Sequence, residues 1–526
     1  MWMGFQTSAL LCASNKALLN VDVAHAAFYK KDMPFLAFLE EALNPDSVLD
    51  ATIIRAANIA IKGKGLCIRT LYTRTKKTFK VGPPKKELFI LLECLHIKHP
   101  LKYNAKLMED QMAGKQLLNP PSDFKEYSII AVANPERDQQ ALIYFCQLLH
   151  KTAAGMGWPI PAMPRIIKYA CNIRNVEDLY KSVIAKFTTN KCRCNLIIVA
   201  MPGRDSASYI SIKHTSDMEM GVMSQCILMK TVLKINPTTC INILFKVCTK
   251  LGSMPHCPQP TEDVAKFIFK KPTLVLGMDV SHPTLQEAES NLPSIASIVG
   301  SEDFYAMHYG GSIKVQRKSQ ESIIYLVYEM KELLVTYFKA TEKKPECIII
   351  YRDGLAEGQF YAVMKEEIAA VCHACLNLKD TYKPTITYVI VQKCHHTRLF
   401  CTQPKDQCSC SKNIPPGTCI DTDIITPNAF NFYLCSHFGI QGTSRPTKYF
   451  VIMDKNNMSA DKLQSITYSL CHNFVRCPRT VSPMPLVRSG ASGEESSSAL
   501  QTQCTRSSLD EAIRVCPDIT NKMYFV

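Results

Sequence analysis

The sequence predicts an α/β protein built on sheets covered by helices. Three observations predict it. From residue 128 onward, short Ile/Val/Ala-rich runs alternate with amphipathic helical patterns, the signature of a parallel sheet with helices on its faces. Hydrophobic residues make up 47% of the 526-residue chain, enough for large cores and incompatible with global disorder. Two strand-like runs, LVLGMDVSHP and CIIIYRDG, end on aspartates, Asp279 and Asp353. A strand end at the mouth of a sheet holds a carboxylate on a rigid backbone. A chain of this length is expected to form two to four domains.

The elements follow in order. Residues 1–19 carry no pattern that assigns them, and residues 20–113 read as an α+β fragment. GKQLLNPPSDFKEY (114–127) reads as a linker, marked by its proline pair and polar residues. SIIAVAN is a strand, and ERDQQALIYFCQLLHKTAAGMG is a helix ended by glycine. NVEDLYKSVIAKFTTN is a second helix with asparagine at its cap position. NLIIVAMPG is a strand and TTCINILFKVCTKLG a helix. In that helix Leu244, Val247, Cys248 and Leu251 form the apolar face. Lys246 and Lys250, four apart, then share one face outside the core. Further strands are TLVLGMDV, SIASIVGS, FYAMHYGGSIKV, CIIIYRDG and ITYVIVQK. The pattern QESIIYLVYEMKELLVTYFKAT predicts a long helix with Glu321 at its start. Residues 488–508 are low-complexity, rich in Ser and Gly, and expected to be flexible.

A formal net charge of +15 favours a polyanionic partner. The 24 cysteines are dispersed. Cys226, Cys248, Cys372 and Cys375 lie in predicted strands and helices, as expected of reduced, cytosolic cysteine used as a small hydrophobe. Cys192–Cys194 and Cys408–Cys410 lack the spacing and partner pair of a zinc knuckle. No apolar run is long enough to span a membrane, and the start lacks a basic leader. A soluble cytoplasmic protein is the expectation. Asp279, Glu321 and Asp353, if brought together, would suit one or two Mg²⁺ (or Mn²⁺) ions, which take oxygen ligands and act on phosphates.

Longer segments carry a family resemblance. KPTLVLGMDVSHP (271–283), PSIASIVGS (293–301), IIIYRDGLAEGQF (348–360), VIVQKCHHTRLFC (389–401), FYLCSHFGIQGTSRP (432–446) and YSLCHNFVRC (468–477) resemble the PIWI domain of animal Argonaute proteins, in the family's order. The resemblance implies a Rossmann-like MID domain at 128–270 and an RNase H-like PIWI domain at 271–487. It implies a partial PAZ fragment at 20–113 and a PIWI-like tail at 509–526. The family's aromatic three-prime-end pocket is replaced by VGPPKKELFILLECLHIKHP, and its N-terminal domain has no counterpart.

The resemblance also implies a small guide RNA as ligand, target mRNA as its pairing partner, and a role in RNA-mediated silencing (miRNA, siRNA, RISC) in the cytoplasm or P-bodies. Tyr209 would stack on the first guide base, with Cys226 beside it. Lys213, Gln225, Lys246 and Lys250 would bind the five-prime phosphate. Arg398, Thr443, Arg445, Arg476, Arg479 and Ser482 would track the guide backbone without reading its sequence. Cys394 stands where the family has a basic residue, and His395–His396 are expected to be structural. Tyr337, Phe338 and Lys344 match positions near a pocket for tryptophan-rich silencing scaffolds, with Lys343 in place of an aromatic.

Slicing members of the family hold two metals with four side chains. Asp279, Glu321 and Asp353 match three of them. The fourth should follow RCPRTVSPMP, where this chain runs LVRSGASGEESSS; Glu494 and Glu495 are the nearest acids, in a stretch that holds a ligand loosely, and Arg488 is a weak substitute for a guide-phosphate arginine that the family carries in the same segment. The expectation is a guide-RNA-binding protein with impaired slicing. The alternatives are an active metal-dependent RNA endonuclease and a protein-interaction fragment without guide binding.

Overall fold

The computed structural model describes residues 3–11, 17–25, 90–91 and 116–525, with breaks at 173–175, 257–270, 284–292, 396, 402–405, 409–410, 423, 427–428, 440–441, 478–479, 482–514 and 520–521. Most of the expected PAZ fragment and the whole low-complexity stretch lie outside the described residues, as do His396, Arg479, Ser482, Arg488, Glu494 and Glu495. The chain divides into two compact units, residues 1–90 and 91–526. In the first, strands β1 (Met3–Leu11) and β2 (Ala17–His25) form an antiparallel hairpin, paired from Met3↔His25 to Leu11↔Ala17.

The second unit begins with a four-stranded sheet. Its strands are β3 (Tyr127–Val132), β4 (Ile166–Ala170), β5 (Leu196–Met201) and β6 (Ser224–Leu228). They are all parallel, in the order β4-β3-β5-β6. β3 and β5 are buried along their whole length, which is why both read as continuous apolar runs rather than alternating ones. Helices α1 (Pro135–Gly155), α2 (Val176–Thr189), α3 (Ser206–His214), α4 (Met229–Leu233) and α5 (Pro237–Lys250) connect and cover them. α1 and α5 start alike: Asn134 and Asn236 accept from the backbone of Glu136 and Thr239, and proline follows each cap. One face of the sheet packs on Phe145, Leu149, Leu244 and Val247, the other on Tyr180, Val183 and Phe187. Part of the predicted linker joins this core, since Leu117 and Phe124 are buried in it.

An eight-stranded sheet follows. Its strands are β7 (Thr273–Ser281), β8 (Ser294–Ser301), β9 (Tyr309–Gln316), β10 (Cys347–Asp353), β11 (Thr385–Gln392), β12 (Thr418–Ile420), β13 (Asn431–Cys435) and β14 (Thr447–Asp454). Their order is β9-β8-β7-β10-β11-β14-β13-β12. β7, β10 and β11 are mutually parallel and the remaining pairs antiparallel. Helices α6 (Leu326–Thr341) and α7 (Phe360–Leu378) cover one face, and α8 (Ala460–Leu470) packs on the other.

Two boundaries differ from the sequence reading. The helix expected from Gln320 starts at Leu326, because Glu321 is held in a turn by distant side chains described below. The strand expected from Phe304 starts at Tyr309. There the Asp303 carboxylate accepts from the backbone N–H of Tyr305 (2.8 Å), Met307 (3.1 Å) and His308 (2.7 Å), which closes a loop.

The described tail, 515–519 and 522–525, joins the two sheets. Ile519 and Tyr524 are buried in the core of the four-stranded sheet, and Met523 in that of the eight-stranded one. The Cys516 N–H donates to the Asp217 carbonyl (2.9 Å). A second bridge comes from Met218, in the π-helical turn Thr215–Met220, which packs on Ile295 and Val315.

Candidate nucleic-acid interface and carboxylate cluster

A cavity of about 660 Å³ opens at the C-terminal ends of β5 and β6. Open parallel sheets place ligands at this edge. Tyr209 from α3, Gln225 and Cys226 from β6, and Lys246 from α5 line it. Burial and the neighbouring Arg476 guanidinium both lower the Lys246 ammonium below its ordinary value. An anion bound against Lys246 in the cavity would offset both effects. Asp205 also reaches the cavity rim, where its carboxylate caps α3 by accepting from the Ser208 N–H (3.2 Å).

Lys213 and Lys250 stand behind this wall. Lys213 donates to Asp217 (2.9 Å) and Ser224 Oγ (3.3 Å). Burial is the largest influence and works against its charge, but Asp217 and Tyr209 together hold the ammonium above its ordinary value. Lys250 corrects the periodicity argument: it is buried, not on a solvated face. Its ammonium reaches across to β6, donating to the Ser224 carbonyl (2.8 Å) and Gln225 Oε1 (3.2 Å). Burial first, and then the Lys213 charge, push its pKa well below the ordinary lysine value. Lys250 therefore fixes Gln225 from behind, while Lys246 faces the cavity.

The carboxylates gather on the eight-stranded sheet. β7 and β10 are adjacent and parallel with Arg352 opposite Met278, so the next residues in register are Asp353 and Asp279. Gly354 follows at φ +82°, and a Cβ there would touch Asp279 Oδ1 at 3.4 Å. Burial raises the Asp279 carboxyl above its ordinary value, with Lys393 and Arg352 opposing. It raises Asp353 to about 6, against the pull of Lys393. The Lys393 ammonium is ion-paired with Asp353 Oδ2. Glu321 bonds His282 Nε2 (2.8 Å), whose Nδ1 meets Ser294 Oγ (2.7 Å). Arg352 Nη2 donates to the Glu321 carbonyl (2.7 Å) and lies 3.6 Å from its carboxylate. Arg352 is fully buried and is itself held by Glu367 (3.2 Å), which accepts from the Tyr388 hydroxyl (2.6 Å).

This arrangement does not fit a metal pair. Among the described residues no three His, Cys, Asp or Glu side chains converge as ligands. Lys393 already supplies a positive charge to Asp353, and Glu321 is engaged by His282 and Arg352.

Comparison with known proteins decides the family. Residues 196–488, more than half of the chain, match the Piwi domain family, and residues 1–30 match the Argonaute linker 1 domain. The chain belongs to the Argonaute family. The Caenorhabditis elegans protein tag-76 is 42% identical over 372 residues, which is 70% of this chain and 36% of that protein. The chain thus spans about a third of the length of that relative. The C-terminal lobe of a budding yeast Argonaute superposes with a TM-score of 0.69 at 22% identity, covering 78% of this chain and 87% of the other. Kluyveromyces polysporus Argonaute with a guide RNA gives 0.68 at 22% identity, covering 78% and 52%. Drosophila Piwi gives 0.64 at 20% identity, covering 80% and 53%. Likeness at this identity carries the fold: the four- and eight-stranded sheets are the Rossmann-like MID and RNase H-like PIWI parts of an Argonaute lobe. The linker match covers residues 1–19, for which the sequence alone offers no assignment.

The remaining Argonaute-derived positions divide. Arg398 donates to the carbonyls of His395 (3.0 Å) and Thr397 (2.9 Å), so it braces its own loop. His395 bonds the Pro446 carbonyl (2.8 Å) and packs edge-on against Tyr433. Thr443 is half-buried, and Arg445 is exposed. Arg476 is near enough to Lys246 to disfavour its charge, and donates to the Phe525 carbonyl (2.8 Å). Phe338 and Lys344 line a cavity of about 180 Å³ with Leu378 and Tyr382. Tyr337 points the other way and is fully buried in the sheet core. Sequence reasoning missed His282, Arg352, Glu367 and Lys393. The first, second and fourth stand in the resembling motifs beside residues that were singled out, and that adjacency was the available signal.

Proposed function

We propose that the chain binds a small guide RNA by its five-prime phosphate, presents it for pairing with target RNA in gene silencing, and does not cut the target. The Lys246 ammonium on the wall of the Tyr209 cavity, with the Arg476 guanidinium near enough to disfavour its charge, carries the binding half of this reading. A phosphate dianion against that ammonium is a charge-assisted contact of the strong kind, and a base stacked on Tyr209 is tolerant of sequence. Lys250 and Lys213 pre-organise Gln225 and Ser224 behind it. Kluyveromyces polysporus Argonaute, which shares the fold, was crystallised with a guide RNA.

The test is equilibrium binding of a short single-stranded RNA with and without a five-prime phosphate at fixed salt, beside Lys246→Ala. A phosphate preference that disappears in the variant supports the reading. Weak binding of both RNAs, indifferent to the substitution, removes it.

The absence of cutting rests on the Lys393–Asp353 ion pair and the engagement of Glu321. Mg²⁺- or Mn²⁺-dependent cleavage of a guide-matched RNA, lost in Asp353→Ala, would overturn that half. As a partner we propose a tryptophan-bearing silencing scaffold, its indole entering the cavity of Phe338 and Lys344. We place the activity in the cytoplasm, including P-bodies, which imaging of a tagged full chain would check.

A further inference from the structure

The Phe338 cavity has a neighbour of opposite character. A cleft of about 450 Å³ shares Lys344, Pro345 and Tyr382 with it as a common wall. The smaller cavity is apolar, walled by Leu334, Val335, Phe338 and Leu378. The larger is walled by Lys343, Lys344 and Lys383, with Glu346 as the acid among its lining residues. Lys379, on the wall of the smaller cavity, adds a fourth ammonium on the same face. All four lysines are exposed, and none forms an ion pair among the described residues. Lys343 stands 5.5 Å over the Phe304 ring, which fixes its charge near the cleft. Pro272, Pro345 and Pro384 contribute wall without backbone N–H groups, and the Tyr382 hydroxyl is spent on the Pro345 carbonyl (2.8 Å), so the side-chain donors left to a ligand there are the lysines.

We propose that this face takes an extended peptide with one aromatic anchor followed by acidic residues. The anchor fills the Phe338 cavity and the carboxylates lie over the lysine cleft. The proposal rests on the reading of the Phe338 cavity as an aromatic pocket, and adds the chemistry of what flanks the aromatic residue. A second aromatic side chain does not suit the larger cleft, whose walls carry three ammonium groups. Charge complementarity selects acidic flanks instead. A nucleic acid would satisfy the lysines but leave the apolar cavity empty, so the pair of cavities favours a peptide.

The experiment is fluorescence anisotropy of the full chain with labelled peptides of equal length. One carries a tryptophan with Gly/Ser flanks, one a tryptophan followed by glutamates, and one the glutamates with alanine in place of tryptophan. The acidic tryptophan peptide is expected to bind about tenfold tighter than the neutral one at low salt, the sum of a few exposed ion pairs. That advantage is expected to shrink at high salt. Lys343→Glu/Lys383→Glu should erase it and leave the neutral peptide's affinity unchanged. Equal binding of the two tryptophan peptides, or an advantage that survives the double substitution, overturns the proposal while leaving the anchor pocket intact. Failure of both tryptophan peptides, with wild-type thermal stability, removes the anchor reading itself. A labelled oligonucleotide losing affinity in the double variant, while the peptides do not, would assign the lysines to nucleic acid and overturn the proposal.

Discussion

The Lys393 ammonium sits on the carboxylate of Asp353, from the residue just beyond the end of the neighbouring parallel strand. Asp353 in turn lies beside Asp279 in register. Two buried carboxyls side by side repel, and the lysine is what the fold provides against that cost.

The pH dependence of stability follows. The Asp353 carboxyl is raised in the folded state to about 6, above its unfolded value of 3.8. A carboxyl raised on folding binds its proton more tightly in the native state, so stability falls as pH rises between those two values. The loss is on the order of 3 kcal/mol across that window. Asp353→Asn should flatten the slope, and urea denaturation at pH 4 to 7 measures it. Parallel slopes in the two proteins would refute the assignment.

Arg352 is expected to be the most sensitive position near the cluster. Arg352→Met leaves Glu367 buried without its guanidinium and frees the Glu321 turn. Breaking one side of such a pair costs about 3–5 kcal/mol. Chemical denaturation should show that loss; a change below about 1 kcal/mol, the worth of an exposed pair, would mean the network is solvated.

Lys246 and Lys250 should separate cleanly although they share a helix. Lys246→Met is expected to weaken binding of five-prime-phosphorylated RNA with little change in melting temperature. Lys250→Met removes two buried hydrogen bonds and should cost about 1–3 kcal/mol of stability as well. Calorimetric melting beside RNA titration distinguishes them, and matching profiles for both variants would count against the geometry.

Ile519→Ala tests the tail. The side chain is buried in the core of the four-stranded sheet, so its truncation should cost about 2–5 kcal/mol. Stability within error of wild type would mean that the tail is not packed as described.

Much of this was legible in the sequence because local pattern and tertiary outcome agree. β3, β5, β7 and β10 read as buried strands since short, β-branched apolar runs of this kind suit a covered sheet. Asp279 and Asp353 read together because both stand at or near the ends of strands that proved adjacent. Where the reading failed, a distant group overrode the local pattern. Glu321 continues a helical periodicity, yet Arg352 and His282, 31 and 39 residues away, hold it in a turn. Lys250 falls on the polar side of its helix by spacing, yet β6 presents the Ser224 carbonyl to it, and no helical wheel contains β6. Tyr337 and Phe338 are neighbours on one helix with opposite fates, since a helix turns about 100° per residue and only one can face the core.

The tail that reaches into both cores also constrains the order of events during synthesis. Residues 515–525 leave the ribosome after every strand of the two sheets has been made. Until then the sites later filled by Ile519, Met523 and Tyr524 stand open, and the two sheets lack one of the clasps between them. A nascent chain stalled before that point would expose apolar surface at both cores, a natural landing place for a chaperone.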